Sequence, residues 1–294
     1  MPALLWVVDS AEADGMVRRT VTDPTGRNVA VPVAPQRIVA LAPSVTEIIF
    51  ALGQEHRLVG VTRFSNHPPE AAMRPKVGSY IQLDVERIAA LGPDLCIAIK
   101  DGNPIAAVER LTAMGIPVFA VDPVDLATVM QTVTAIGDLL DAADVAETVV
   151  TGMERRIEAV RLRLEGIQVR PRVFLQIGVS PIVSVGRGTF IDILIQMAGG
   201  TNVAAGGGMA YPRFSREQVL LLAPEVIVIS SMERTAVFEQ VKAEWMQWPS
   251  LPAVQRNAVH IAPPDLFDRP SPRLVDALEV LAAFIHPDRF EARR

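Results

Sequence analysis

Short apolar runs punctuate this chain, and the stretches between them carry apolar positions that return every three or four residues. Arg37–Ala42, Leu58–Val61, Leu95–Ile99, Val118–Val121, Arg172–Ile177 and Val259–Ile261 have the length and β-branched content of buried strands. Ala106–Met114 and Leu126–Leu140 have the period of amphipathic helices. Strands that alternate with helices predict parallel sheets with both faces covered. Ahead of them, Thr22–Arg27 carries turn chemistry and Val29, Val31 and Val33 alternate as in a strand, so the entry reads as a hairpin. After Pro43, Ser44 is a candidate N-cap and Glu47 completes a capping-box pattern, with a helix through Ile48–Leu52 that ends at Gly53.

One segment breaks the alternation. From Asp144 to Glu165, Val145, Val149, Met153, Ile157, Val160 and Leu164 recur at spacings of three and four, and charged residues fill most of the remaining surface. The pattern predicts one helix roughly 33 Å long. Gly166 and Pro171 close it, and a new strand–helix series follows. The expected organisation is an entry segment at 1–36, an α/β lobe at 37–141, a connecting helix at 142–168 and a second α/β lobe at 169–294.

An internal repeat points the same way. Glu86–Leu95 returns 131 positions later as Glu217–Val226, sharing the pattern E-x-[I/V]-x-x-L-x-P-[D/E]-[L/V], and an apolar strand follows both copies. Val118–Pro123 has a counterpart in Val259–Pro264, and Glu47–Gly53 resembles Asp192–Gly199. The plain alternative is that helix–turn–strand junctions converge on such patterns. A duplicated pair of lobes would form a cleft, and small ligands bind at domain interfaces and beyond the carboxyl ends of parallel strands.

Composition narrows the chemistry. Half of the 294 residues are hydrophobic and the net charge is −5, which gives no electrostatic footprint for nucleic acid. No apolar run is long enough to cross a bilayer. The apolar stretch Pro2–Val8 followed by Ala11-Glu12-Ala13 suits the tail of a secretory leader or an appended segment. The single cysteine, Cys96, lies in an apolar run, so no intrachain disulfide and no cysteine-held cluster can form. His56, His67, His260 and His286 have no metal-ligand spacing, and no nucleophile elbow, P-loop or dinucleotide fingerprint occurs, so no metal site and no catalytic residue is expected. Gly206–Gly208 reads as a flexible run beside the loop Met209–Pro212.

Aromatic residues are 5% of the chain, so their positions matter. Phe64, Tyr80, Tyr211 and Phe267 fall in loops on the side where parallel α/β sheets bind ligands, where flat apolar rings suit a cleft. The alternative for each is packing against its own lobe. Glu86 and Glu217 hold equivalent places near helix starts, where compensation of the helix dipole would also explain them.

The strings PQRIVALAPSVTEIIFALG, TRFSNHPPE, VGSYIQLDVERIAALGPDL, SREQVLLLAPEVIVI and FDRPSPR resemble the helical-backbone class of periplasmic binding proteins over roughly residues 35–285. Members of that class bind corrinoids such as vitamin B12, haem or ferric siderophores, and several loops here are most similar to the corrinoid binders. The resemblance implies α/β architecture with two Rossmann-like lobes, parallel central sheets and a single long helix between them. It implies a ligand-binding set of Phe64, Tyr80, Lys100, Asp101, Tyr211, Asp265, Phe267 and Arg269. The three first-named aromatic positions replace bulkier rings, and a tryptophan of corrinoid binders falls at Ile99. It also implies that Glu86 and Glu217 dock onto the permease dimer of an ABC importer, that the protein is a periplasmic monomer, and that cobalamin or a related corrinoid is bound cargo, with no cofactor. Haem is the alternative, with Tyr80 as a candidate axial ligand and His67 in the same lobe. For a siderophore, Arg63, Lys100, Arg213 and Arg269 could serve. An oxidoreductase-like enzyme on a similar scaffold is a distant alternative, since such folds hold clusters with several cysteines.

Overall fold

The computed structural model describes residues 17–230, 236–263 and 265–290. The apolar stretch Pro2–Val8 lies outside the described residues. In chain order the elements are β1 (Arg18–Thr22), β2 (Asn28–Pro32), β3 (Ile38–Ala40), α1 (Pro43–Ala51), β4 (Leu58–Val61), α2 (Val85–Ala90), β5 (Leu95–Ile99), α3 (Ile105–Ala113), β6 (Val118–Val121), α4 (Leu126–Leu139) and α5 (Ala143–Arg163). They continue with β7 (Arg172–Gly178), β8 (Ile182–Ser184), α6 (Phe190–Met197), β9 (Thr201–Asn202), β10 (Arg213–Phe214), α7 (Arg216–Leu222), β11 (Val226–Ile229), α8 (Ala236–Met246), α9 (Pro252–Gln255), β12 (Val259–Ile261), α10 (Leu274–Ile285) and α11 (Pro287–Phe290).

The chain forms two compact units. The first comprises the described residues up to Pro123 with Ala127–Gly152, and the second comprises Val124–Leu126 with the described residues from Met153 onward. Helix α5 carries the chain from one to the other. These are two α/β units with parallel central strands.

The first unit has a four-stranded parallel sheet in the order β4-β3-β5-β6. Successive strand residues go to opposite faces. Ile38, Ala40, Leu95 and Ile97 pack with α1 and α4, whereas Val39, Cys96, Ala98 and Val118 pack with α2 and α3. Both faces are covered, which is why these strands read as continuous apolar runs. Burial pushes the Cys96 thiol well above its ordinary range, consistent with an inert core residue. Helix α1 departs from the expected capping box. Pro43, with its φ preset, is the first helical residue, Ala42 is the N-cap, and Ser44 and Glu47 are buried within the helix.

The hairpin β1–β2 lies beside β6 and closes its free edge with side chains. The Asp23 carboxylate accepts a hydrogen bond from Ala120 N–H (3.2 Å), and Arg27 donates to the Val118 carbonyl (3.2 Å). The two side chains are joined at 2.7 Å. Burial alone would raise the Asp23 pKa, but hydrogen bonds from Thr25, Arg27 and Ala120 outweigh it and hold the carboxyl below its ordinary value.

In the second unit β9, β7, β11 and β12 are parallel, and β8 and β10 add an antiparallel edge beside β7. That edge is a departure from an all-parallel sheet. Its strands are two or three residues long, too short to give a period of their own. Phe174, Ile227, Ile229 and Val259 pack against Val219 of α7 and Phe238, Val241 and Trp245 of α8. The indole N–H of Trp245 donates to Gln176 Oε1 inside this core (2.8 Å). Gly206 is part of a short 3-10 turn, with Gly208 at positive φ after it.

The repeat is visible in the strand pairing. β5 enters beside β3 as β11 enters beside β7, and a doubled polar clamp fixes each junction. Arg37 caps the end of α2 by donating to the carbonyls of Leu91 and Gly92, and Arg172 donates to the Ala223 carbonyl after α7. The acidic residue after the shared proline, Asp94 or Glu225, accepts the backbone N–H of that same arginine.

Candidate functional site

In each unit the loops beyond the carboxyl ends of the parallel strands carry most of the residues singled out by the sequence. In the first unit, the loop after β4 is built on a buried hydroxyl network. Ser65 Oγ lies 2.9 Å from Thr46 Oγ1 and 3.0 Å from Thr62 Oγ1. The Lys76 ammonium donates to the carbonyls of Ser65 and Ala71, and burial lowers its pKa. Arg63 N–H donates to the Gly78 carbonyl and ties this loop to the next. The result holds Phe64 outward, 42% exposed, with the Arg63 guanidinium 4.7 Å from its ring centre.

Phe64 and Tyr80 are brought together edge to face, with ring centroids 6.4 Å apart at 64°. The loop that carries Tyr80 turns at Gly78, where a Cβ would lie 2.3 Å from the Gln82 carbonyl oxygen. Asn103 then locks the neighbourhood. Its side chain donates to the carbonyls of Leu41 and Tyr80 and accepts from Ile99 N–H, so one buried amide joins the segments after β3 and β5 to the Tyr80 loop at the carboxyl end of the sheet. Gly102, at φ +120, gives room for the Tyr80 ring, whose Cδ2 would be 2.8 Å from a Cβ there. Ile81 and Ile105 add exposed apolar surface to these loops. Lys100 is engaged by Asp122 at 2.6 Å, and Asp101 is exposed in the turn beside it.

In the second unit, Tyr211 is 54% exposed on a loop hydrogen-bonded to β8 and its extension, Ser184 to the Pro212 carbonyl and Gly186 to the Ala210 carbonyl. After β12, Asp265 and Arg269 form an ion pair at 3.0 Å. Asp265 has a left-handed backbone, φ +63, and the Arg269 side chain is 7% exposed. Phe267 is completely buried, which corrects its assignment as a ligand contact. Asp268, next to it, has an oxygen that is buried without a hydrogen-bond partner, and its carboxyl is pushed up to about 6 by burial first and by the Asp265 charge second, with Arg269 opposing.

Glu86 and Glu217 occupy the same place, the second residue of α2 and of α7. Their surroundings differ. Glu86 is paired with Arg110 at 2.5 Å. Glu217 has no ion pair among the described residues; a hydrogen bond from Ser215 is the main influence lowering its pKa. One turn after it Leu221 is 85% exposed, where α2 has Ala90.

Asn103, Gly102, Ile105 and Asp268 are the site-side residues that the sequence reading missed. The run Asp101-Gly102-Asn103-Pro104 was the available signal for the first two, since an Asn in a Gly/Pro turn before a helix often bonds backbone. Among the described residues no group of histidines, cysteines and carboxylates could hold a metal ion, and no helix is long and apolar enough to cross a membrane.

Comparison with known proteins agrees with this geometry. The chain is 31% identical over 248 residues to a vitamin B12-binding protein of Yersinia pestis, spanning 84% of this chain and 85% of that one. Its fold matches the periplasmic vitamin B12-binding protein of Vibrio cholerae, with a TM-score of 0.77, 29% identity and coverage of 89% of this chain and all of the other. A periplasmic heme-binding protein of Pseudomonas aeruginosa is similar to the same degree, with a TM-score of 0.76, 28% identity and coverage of 86% and 93%. Residues 38–266 match the model of the periplasmic binding protein family. With more than half its length inside that match, the chain belongs to the periplasmic binding protein family.

Proposed function

We propose that this protein is an extracytoplasmic solute-binding protein that captures a corrinoid, vitamin B12 or cobinamide, and delivers it to an ABC importer, and that it is not an enzyme. The observation that carries the reading is the 31% identity over most of the chain to a vitamin B12-binding protein. The exposed rings of Phe64 and Tyr211 and the half-buried ring of Tyr80 support it, because a corrinoid offers a broad, largely apolar face with amide-bearing edges. Asp265 and Arg269 suit those edges, with Lys100 and Asp101 beside Tyr80's loop. On this reading the protein works in the periplasm as a monomer, helix α5 lies within the connecting segment 142–168 between lobes 37–141 and 169–294, and Glu86 and Glu217 meet cationic groups of the permease. Charged contacts of that kind set orientation and on-rate more than affinity.

Calorimetric titration with cyanocobalamin tests the reading. Binding at a 1:1 ratio is expected, with a loss of about tenfold or more in Tyr80→Ala, the scale of one buried aromatic contact. No heat at high micromolar ligand would sink it.

Haem is the second reading, favoured by the similarity to a heme-binding protein and by the phenol of Tyr80 beside Phe64. A Soret shift with hemin that disappears in Tyr80→Phe would select it over the corrinoid.

A further inference from the structure

Asp268 belongs to none of the roles above, yet it sits between two residues that do. It follows Asp265 by three positions and immediately precedes Arg269. Its Oδ2 is closed to solvent and accepts no hydrogen bond from any described residue. An ionised carboxylate in this half-buried place is disfavoured, because one of its two oxygens is closed to solvent and gains no donor in exchange. Burial is the largest influence on it, the neighbouring Asp265 charge adds to the cost, and Arg269 offsets part, which leaves the group titrating at about 6. No charge on another described element acts on it. Arg269 is nearly buried and already holds Asp265 at 3.0 Å, and Asp265 has a left-handed backbone, a conformation that aspartate adopts more readily than most residues.

We propose that Asp268 is a positioning residue for the Asp265–Arg269 pair: protonated, it leaves the guanidinium to Asp265, and ionised, it competes for that guanidinium and loosens Asp265. The ionisation releases one proton to solvent and sets a second negative charge beside the Asp265–Arg269 pair. The inference deepens the proposed function and rests on that reading only in taking the segment as ligand-facing. It makes capture pH-dependent, with the pair best ordered on the acid side.

The test begins without ligand. The side-chain carboxyl signals of Asp265 and Asp268 and the guanidinium signals of Arg269 are followed by NMR between about pH 4 and 8, the range that brackets ordinary and raised carboxyl values. Asp268 should titrate at about 6, the Asp265 and Arg269 signals should move with the same midpoint, and Asp268→Asn should abolish their movement. Titration of Asp268 in the ordinary carboxylate range, or Asp265 and Arg269 signals that stay still through its midpoint, overturns the proposal. With cyanocobalamin as probe, wild-type affinity should fall about threefold or more from pH 5 to 7.5, while Asp268→Asn keeps the acid-side value. An equal fall in Asp268→Asn also overturns it. If cyanocobalamin binds at no pH, the corrinoid reading fails and the ligand-free titration alone decides the role of Asp268.

Discussion

Arg37 and Asp94 exchange hydrogen bonds in both directions: the Arg37 N–H donates to Asp94 Oδ1 at 3.0 Å and the Asp94 N–H donates to the Arg37 carbonyl at 2.9 Å. Arg172 and Glu225 do the same at 3.0 and 2.7 Å. The reciprocal pair joins the start of each central strand to the strand entering beside it. Asp94→Ala or Glu225→Ala removes a carboxylate acceptor from backbone donors at a partly exposed junction, at a cost of about 1 kcal/mol each. The two clamps lie in different units and share no partner, so the double variant should lose the sum to within about 0.5 kcal/mol. Urea unfolding checks both values.

Ala223 and Gly92 hold equivalent positions, each just after its helix and each at positive φ, +41 and +55. Only the glycine tolerates that region without strain. Ala223→Gly should therefore stabilise the protein by about 0.5–1 kcal/mol, and Gly92→Ala should destabilise it by at least as much. Thermal melts of the two variants should move in opposite directions.

The buried carboxyl of Asp268 also leaves a mark on stability. A carboxyl whose folded-state pKa is raised to about 6 is harder to ionise folded than unfolded. Nothing is lost below the ordinary carboxylate range, where both states are protonated. Stability then falls as pH rises through that range to about 6 and stays lower above it. Asp268→Asn should be more stable than wild type by about 1–3 kcal/mol at pH 7.5 and equal to it at pH 4, measured by denaturant midpoints.

Gly102→Ala tests the aromatic pair without touching either ring. The new methyl would meet the Tyr80 ring at 2.8 Å at a backbone angle unfavourable to alanine. Displacement of Tyr80 from Phe64 should weaken cyanocobalamin binding by about tenfold.

If Glu86 and Glu217 dock onto a permease as proposed, the two should not contribute equally. Arg110 is paired with Glu86, while Glu217 has no ion pair among the described residues and lies one turn from the exposed Leu221. In whole-cell uptake of labelled cobalamin, Glu217→Ala should lower transport more than Glu86→Ala, with the affinity of the purified protein unchanged in both.

Much of the frame was legible because it follows from local rules. The strands β4, β5, β6 and β12 have the bounds that their apolar runs predict, and in β5 and β6, buried on both faces, no polar position blurs them. The helix now seen over Ala143–Arg163 declared itself by period. The start of α1 was misread because Ser44 and Glu47 match a capping box, yet Pro43 fixes the first turn earlier and tertiary packing buries both side chains. Phe267 was misjudged because loop position says which side of a sheet a residue is on but not which way its ring turns. Asn103 and Asp268 went unseen because their roles depend on backbone groups far away in sequence, Leu41 for the one, and on the absence of a donor for the other.

The Asp23–Arg27 pair does for β6 what another strand would do, meeting its outward amide and carbonyl with a carboxylate and a guanidinium. A sheet edge left open invites a second copy of the chain to add a strand. Here that invitation is withdrawn by two charged side chains, and the withdrawal is reversible. In acid, when Asp23 is finally protonated below its depressed pKa, its hold on Arg27 and on the Ala120 amide weakens and the edge of the last parallel strand is less firmly closed. Acid-triggered self-association, rather than simple unfolding, is the failure that this way of closing a sheet builds in.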